Sequence, residues 1–174
     1  APGSLNLIEI TDRLNELGTH QAAITGLAFM LAGIMVKAGV FPVHFWLPAA
    51  YSYAPSAVSS LLAAVATKVA IYYFARLLFG IFIDITQLVD FFLLYILMPV
   101  SVLAIFYGTI AAIYQSDFKR LFALSSIAQI GYITFAFSLN SHSGISAGFI
   151  HIINHALIKG ALFMAVGIFA LGIG

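Results

Sequence analysis

The sequence contains no cysteine. A disulfide framework, an iron–sulfur cluster and a thiolate zinc site are therefore excluded within the chain. Charge is scarce as well: Asp, Glu, Lys and Arg make up 7% of 174 residues, and the net charge is +1. No basic stripe exists that could neutralise a nucleic-acid backbone, which excludes nucleic-acid binding. The first twenty residues lack a basic n-region and a continuous apolar run, so they do not read as a signal peptide.

Apolar residues are abundant instead. They account for 63% of the chain, with a mean hydropathy of +1.09, well beyond what a water-soluble core tolerates. The composition is that of an all-α integral membrane protein, because only helices or closed barrels satisfy their backbone polar groups in lipid. Crossing a hydrocarbon core of about 30 Å takes around 20 helical residues. Five stretches qualify: about 21 to 40, 55 to 79, 86 to 114, 118 to 139 and 145 to 173. Their connections are short, which predicts antiparallel neighbours. Residues 1–20 read as an interfacial helix or loop, with Leu5, Ile8, Ile10, Leu14 and Leu17 near helical spacing. Residues 21–174 form the transmembrane bundle. The start without an initiator Met and the stop at Gly174 inside an apolar run read as a fragment of a larger subunit.

Pro42 is expected to break the first helix, because proline offers no N–H and clashes with the carbonyl one turn back; the break should free carbonyls near Ala38. Lys37 stands five residues before it, and His44 and Trp46 follow in "FPVHFWLP". Trp46 suggests an interface position, and the depth of His44 is ambiguous on these grounds. The "QSDFKRL" turn at 115 to 121 is expected to use Ser116 or Asp117 as N-cap. Its Lys119 and Arg120 would place this end toward the cytoplasm by the positive-inside tendency.

Cations inside the spans carry the functional argument. Lys68 lies thirteen residues after Pro55, about 20 Å into a helix and beyond easy snorkelling. In the last span His151, His155 and Lys159 are four residues apart, so all three occupy one face about 6 Å apart along the axis. Neutral imidazole accepts a proton on one nitrogen while donating from the other, and a desolvated lysine can exchange protons too. Spacing of this kind suits proton hopping through water. Zinc binding is disfavoured, since no Glu follows the first histidine and no carboxylate or thiolate lies in that span; no metal and no cofactor is expected. Thr67, Ser125, Gln129 and Tyr132 could hold bridging waters, as could Thr134, although interhelical hydrogen bonding explains any one of them equally well. The small residues of "AAVA" and "GTIAA" are expected to permit close packing.

Three motifs in order, "KAGVFPVHFWLPAAYSYAPSAVSSLLAAVATKVAIYYFAR", "SDFKRLFALSSIAQIGY" and "FIHIINHALIKGALF", resemble the antiporter-like membrane subunits shared by Mrp-type Na+/H+ antiporters, respiratory complex I and membrane-bound hydrogenases. The resemblance implies inverted repeats, each with a broken helix. It puts Lys37 at the lysine of the broken helix, Lys68 at the connecting lysine, and His151, His155 and Lys159 on the central relay into the second half. It implies proton translocation, with Na+/H+ antiport as a variant, by a multi-pass subunit among other membrane subunits and without redox chemistry of its own. The family's upstream glutamate and its downstream terminal lysine or glutamate have no counterpart in these residues. The chain is therefore expected to be a piece of a longer subunit or a shortened relative that needs partners. Two other classes compete with this reading: a haem-binding bundle, and a purely structural membrane anchor of a redox complex.

Overall fold

The computed structural model describes residues 21–81 and 86–173. The expected interfacial segment at residues 1–20 lies outside the described residues. All regular structure among the described residues is helical. Helix α1 covers Gln21–Ala38 and α2 covers Trp46–Tyr53. Helix α3 spans Ser56–Gly80, and α4 spans Leu88–Ile113. Helix α5 is Phe118–Ser138 and α6 is His142–Ile173. Four of these, α3 to α6, are long and apolar enough to cross a membrane, and α1 is a shorter apolar helix. The protein is an all-α membrane bundle, as its composition demands.

The break after α1 is built at Gly39 rather than at Pro42. Gly39 adopts φ +70, a left-handed conformation that costs glycine little. Its N–H donates to the Val36 carbonyl at 3.1 Å, and the Val40 N–H reaches back to the Met35 carbonyl at 3.0 Å. This is the Schellman pattern of helix termination. The indole Nε1 of Trp46 also donates to the Val36 carbonyl, at 2.8 Å. Carbonyls that a bare proline break would have left open are thus occupied. Pro42 lies within the linker between α1 and α2, where its missing N–H disturbs no helix.

Two spans contain π-helical turns. In α3 one turn is Leu62–Ala66, between α-helical Ser56–Leu61 and Thr67–Arg76, and a second, Leu77–Ile81, follows Arg76. In α4 a turn at Phe92–Leu97 precedes Met98–Ile113. Pro99 is the second residue after it, and a wider turn accommodates a residue that cannot donate to the ladder. Asp117 caps α5, accepting from the Lys119 N–H at 3.0 Å, which is one of the two caps expected from the sequence.

Sequential spans pack as neighbours, α4 on α5 and α5 on α6, while α3 closes against α6. Gly108 lets α4 and α5 meet: a Cβ there would lie 2.6 Å from the Ala128 backbone nitrogen. The small residues of "GTIAA" do serve packing. Ser101 of α4 donates to Thr134 of α5 at 2.7 Å, so for Thr134 ordinary interhelical bonding is the observed role. Leu27 and Leu31 of α1 pack with Phe74, Leu77 and Leu78 of α3 and with Val89 and Leu93 of α4. A second apolar cluster, including Tyr51, Ile71, Ile127 and Phe163, joins α2, α3, α5 and α6.

Candidate functional site

Helices α3 and α6 run antiparallel in close register. A Cβ on Gly167 would press on Ser56, and one on Gly160 would lie 3.3 Å from the Ala64 Cβ. Ser60 Oγ donates to the Gly160 carbonyl at 3.0 Å. About one turn beyond the Ala64–Gly160 contact, that register brings Lys68 near the level of His155. Lys68, His155 and Lys159 are all buried, at 5%, 2% and 3% exposure. Three buried groups from two helices thus lie within about one helical turn of one another, which sequence spacing within either helix could not reveal.

Each lysine is held by neutral oxygens. Lys68 Nζ donates to the Ala63 carbonyl and lies 3.3 Å from Thr67 Oγ1. Ala63 belongs to the π-helical turn, and the neighbouring Leu62 carbonyl accepts from Tyr51 Oη at 3.2 Å. Widened turns of this kind expose carbonyls that a regular α-helix would occupy, and they recur at functional positions. Lys159 Nζ donates to the Phe122 carbonyl at 2.8 Å and to Ser125 Oγ, and it sits 5.6 Å from the centre of the Phe122 ring. Cation–π attraction supports the ammonium in that position.

The histidines continue the row along α6. His151 and His155 stack, with ring centres 6.2 Å apart and planes 10° from parallel. His151 Nε2 meets Gln129 Oε1 at 2.8 Å, and Tyr132 approaches the His151 ring edge-on at 6.4 Å. Neither ring nitrogen of His155 meets a hydrogen-bond partner among the described residues. A buried imidazole without a protein partner calls for a third party such as water. Between α4 and α5 an open cavity of about 290 Å³ is lined by Thr109, Leu121, Ser125 and Gln129. The residues that hold Lys159 and His151 therefore border a space large enough for water.

Of the residues singled out from the sequence, Lys68, Thr67, His151, His155, Lys159, Ser125, Gln129 and Tyr132 belong to this α3–α5–α6 region. Lys37 does not join it. Its side chain is exposed near the end of α1, and no hydrogen bond ties it to the row among the described residues. Sequence reading missed the Phe122 carbonyl and the π-helical carbonyl of Ala63, because main-chain acceptors have no signature in side-chain spacing.

Residues 1–172 match the family model for the transmembrane region described as NADH:quinone oxidoreductase/Mrp antiporter. An NADH-quinone oxidoreductase subunit from Desulforudis audaxviator is 37% identical over 95% of this chain and 32% of its own length. A Na(+)/H(+) antiporter subunit from Bacillus subtilis is 31% identical over 95% of this chain and 33% of its own. The chain spans about a third of the length of these curated relatives. Among solved structures, a chain of the Mrp complex from Dietzia superposes with a TM-score of 0.83 at 28% identity, over 95% of this chain and 29% of that one. A chain of an archaeal membrane-bound sulfane sulfur reductase gives 0.69 at 35% identity, over 82% of this chain and 28% of that one. Sequence and fold agree: the chain belongs to the transmembrane family of NADH:quinone oxidoreductase and Mrp antiporter subunits.

Proposed function

We propose that this chain conducts protons through the membrane interior along Lys68, His155, Lys159 and His151, as part of a larger subunit within a multisubunit membrane complex. The observation that carries the reading is the burial of Lys68, His155 and Lys159 inside the α3–α5–α6 bundle. Ionisable side chains in that position are costly and mark ion pathways. Lys68 stands at one side of His155 and Lys159 lies one turn along α6, so a proton arriving at Lys68 alters the electrostatic cost of one at Lys159 through a poorly screened interior. His155 accepts at one nitrogen as it releases from the other, with water completing the contacts. His151, oriented by Gln129, extends the row toward the α5–α6 turn.

Relatives named as NADH-quinone oxidoreductase and Na(+)/H(+) antiporter subunits support this reading. Protons are the proposed cargo. A sodium-coupled mode would require hard oxygen ligands, and Asp90 and Asp117 lie toward span ends rather than in the row. Lys37 is assigned a part only through contacts supplied by the rest of the subunit. The test compares two histidine substitutions in the assembled complex. His155→Ala should reduce proton uptake into sealed vesicles at least tenfold, whereas His142→Ala, exposed at the start of α6, should leave it unchanged. Equal effects of the two would refute the row.

A further inference from the structure

Two buried aromatic residues link the holders of the two lysines. Tyr51, in the last turn of α2, is 1% exposed, and Phe163, one turn beyond Lys159 on α6, is 0% exposed. The Tyr51 hydroxyl donates to the Leu62 carbonyl at 3.2 Å, in the widened turn of α3. The next carbonyl of that turn, Ala63, accepts from Lys68 Nζ. The Tyr51 ring meets the Phe163 ring edge-on, with centres 5.5 Å apart and planes at 89°. Phe163 meets Phe122 in turn, at 6.2 Å and 67°. Phe122 supplies the carbonyl that accepts from Lys159 Nζ at 2.8 Å, and its ring centre lies 5.6 Å from that nitrogen. A continuous line of contacts therefore runs from the carbonyl holding Lys68 to the carbonyl holding Lys159, through α2, α6 and α5.

Tyr51 is fixed to α3 at both ends of the residue. Its hydroxyl engages Leu62, and its own carbonyl accepts from Ser59 Oγ at 2.7 Å. The end of α2 is held from α5 as well, where Lys119 Nζ donates to the Ala54 carbonyl at 3.0 Å. Edge-to-face rings prefer a narrow set of relative orientations, and a close-packed interior passes displacement from one side chain to the next. Phe163 has no atom that binds a proton, and the Tyr51 hydroxyl is engaged by a main-chain carbonyl, so placement is the part open to this pair. We propose that Tyr51 and Phe163 are positioning residues for the proton row. Tyr51 keeps the α3 turn widened, with the Ala63 carbonyl turned to Lys68, and the rings of Tyr51, Phe163 and Phe122 set the distance from that turn to the carbonyl holding Lys159. The assignment rests on the proton-conducting reading above and adds the device that keeps its two lysines in register.

The test measures proton uptake per assembled complex and determines the structure of the same variant complexes by electron cryomicroscopy. Tyr51→Phe keeps the ring and loses only the donor. Uptake should fall about fivefold, the factor that one hydrogen bond contributes to a held position, and Lys68 Nζ should leave the Ala63 carbonyl. Phe163→Leu removes the ring contacts and should also lower uptake, with both lysines still present; Phe163→Met replaces it if the leucine variant fails to assemble. Phe79→Leu removes a comparable ring contact, with Phe137 at 5.9 Å, away from this line and should leave uptake native. Native uptake in Tyr51→Phe would overturn the positioning role, as would reduced uptake with the turn and Lys68 unmoved. Equal losses in the Phe79 and Phe163 variants would reduce the rings to general packing and overturn the part given to Phe163. Lys68→Ala separates these failures from that of the wider reading. Native uptake in that variant defeats the row itself, whereas loss there beside native uptake in Tyr51→Phe defeats the positioning role alone.

Discussion

Trp46 Nε1 donates to the Val36 carbonyl at 2.8 Å, so the first residue of α2 ties down the last turn of α1 across the break. The same carbonyl also accepts from the Gly39 N–H. The break is therefore a fixed joint, with its main-chain groups matched, and the direction of α2 beneath His44 is set by it. Trp46→Phe keeps an aromatic ring and removes the donor, and should cost about 1 kcal/mol. Gly39→Ala combines strain at φ +70 with a Cβ placed 2.5 Å from Leu47 Cδ1, and should cost more, roughly 1–2 kcal/mol from backbone conformation alone. Thermal unfolding of the two variants in detergent checks the order. If Gly39→Ala proves as stable as the native protein, the helix ends by another device.

Lys68 offers a sharper distinction between charge and proton exchange. Lys68→Arg retains a cation but not a proton that leaves on any useful timescale, since guanidinium stays charged in proteins. Transport should fall to nearly the level of Lys68→Ala, although Arg preserves the charge. Proton uptake by the assembled complex is the measurement; uptake in Lys68→Arg close to native would reduce Lys68 to a fixed counter-charge. Assembly must be quantified alongside, because a larger side chain next to the Ala63 carbonyl could disturb the π-helical turn.

Gln129 is predicted to act by orienting His151. Its Oε1 lies 2.8 Å from His151 Nε2, which fixes that nitrogen as the donor and turns the other into the acceptor. Gln129→Leu removes the acceptor at similar volume and should lower uptake while the complex assembles, whereas Gln129→Glu, which can accept the same bond, should retain more activity than Leu. Equal uptake in the two variants would show that Gln129 only fills space.

Much of this arrangement is legible in the sequence because helical periodicity and membrane length are strong constraints. The row at His151, His155 and Lys159 follows from spacing alone, and Lys68 announces its depth by its distance from Pro55. What spacing cannot give is register between helices. The approach of Gly160 to Ala64 sets the register that brings Lys68 near the level of His155. The break is also legible as to place but not as to device. Proline draws attention in a sequence, yet Gly39 terminates the helix, because a left-handed residue closes the last turn before proline is reached. Lys37 shows the opposite limit: its resemblance-based role relies on residues beyond this bundle, and its own surroundings here are open.

Lys159 is the proposed point of proton transfer, its ammonium held by the Phe122 carbonyl at 2.8 Å and by Ser125. Lys159→Met preserves an unbranched apolar side chain of similar reach and removes the titratable nitrogen. The decisive measurement is proton uptake into sealed vesicles carrying the assembled complex, followed with a pH-sensitive dye and normalised to the amount of complex. Uptake should fall at least tenfold below native with assembly intact; native uptake in Lys159→Met would exclude Lys159 from the proton path.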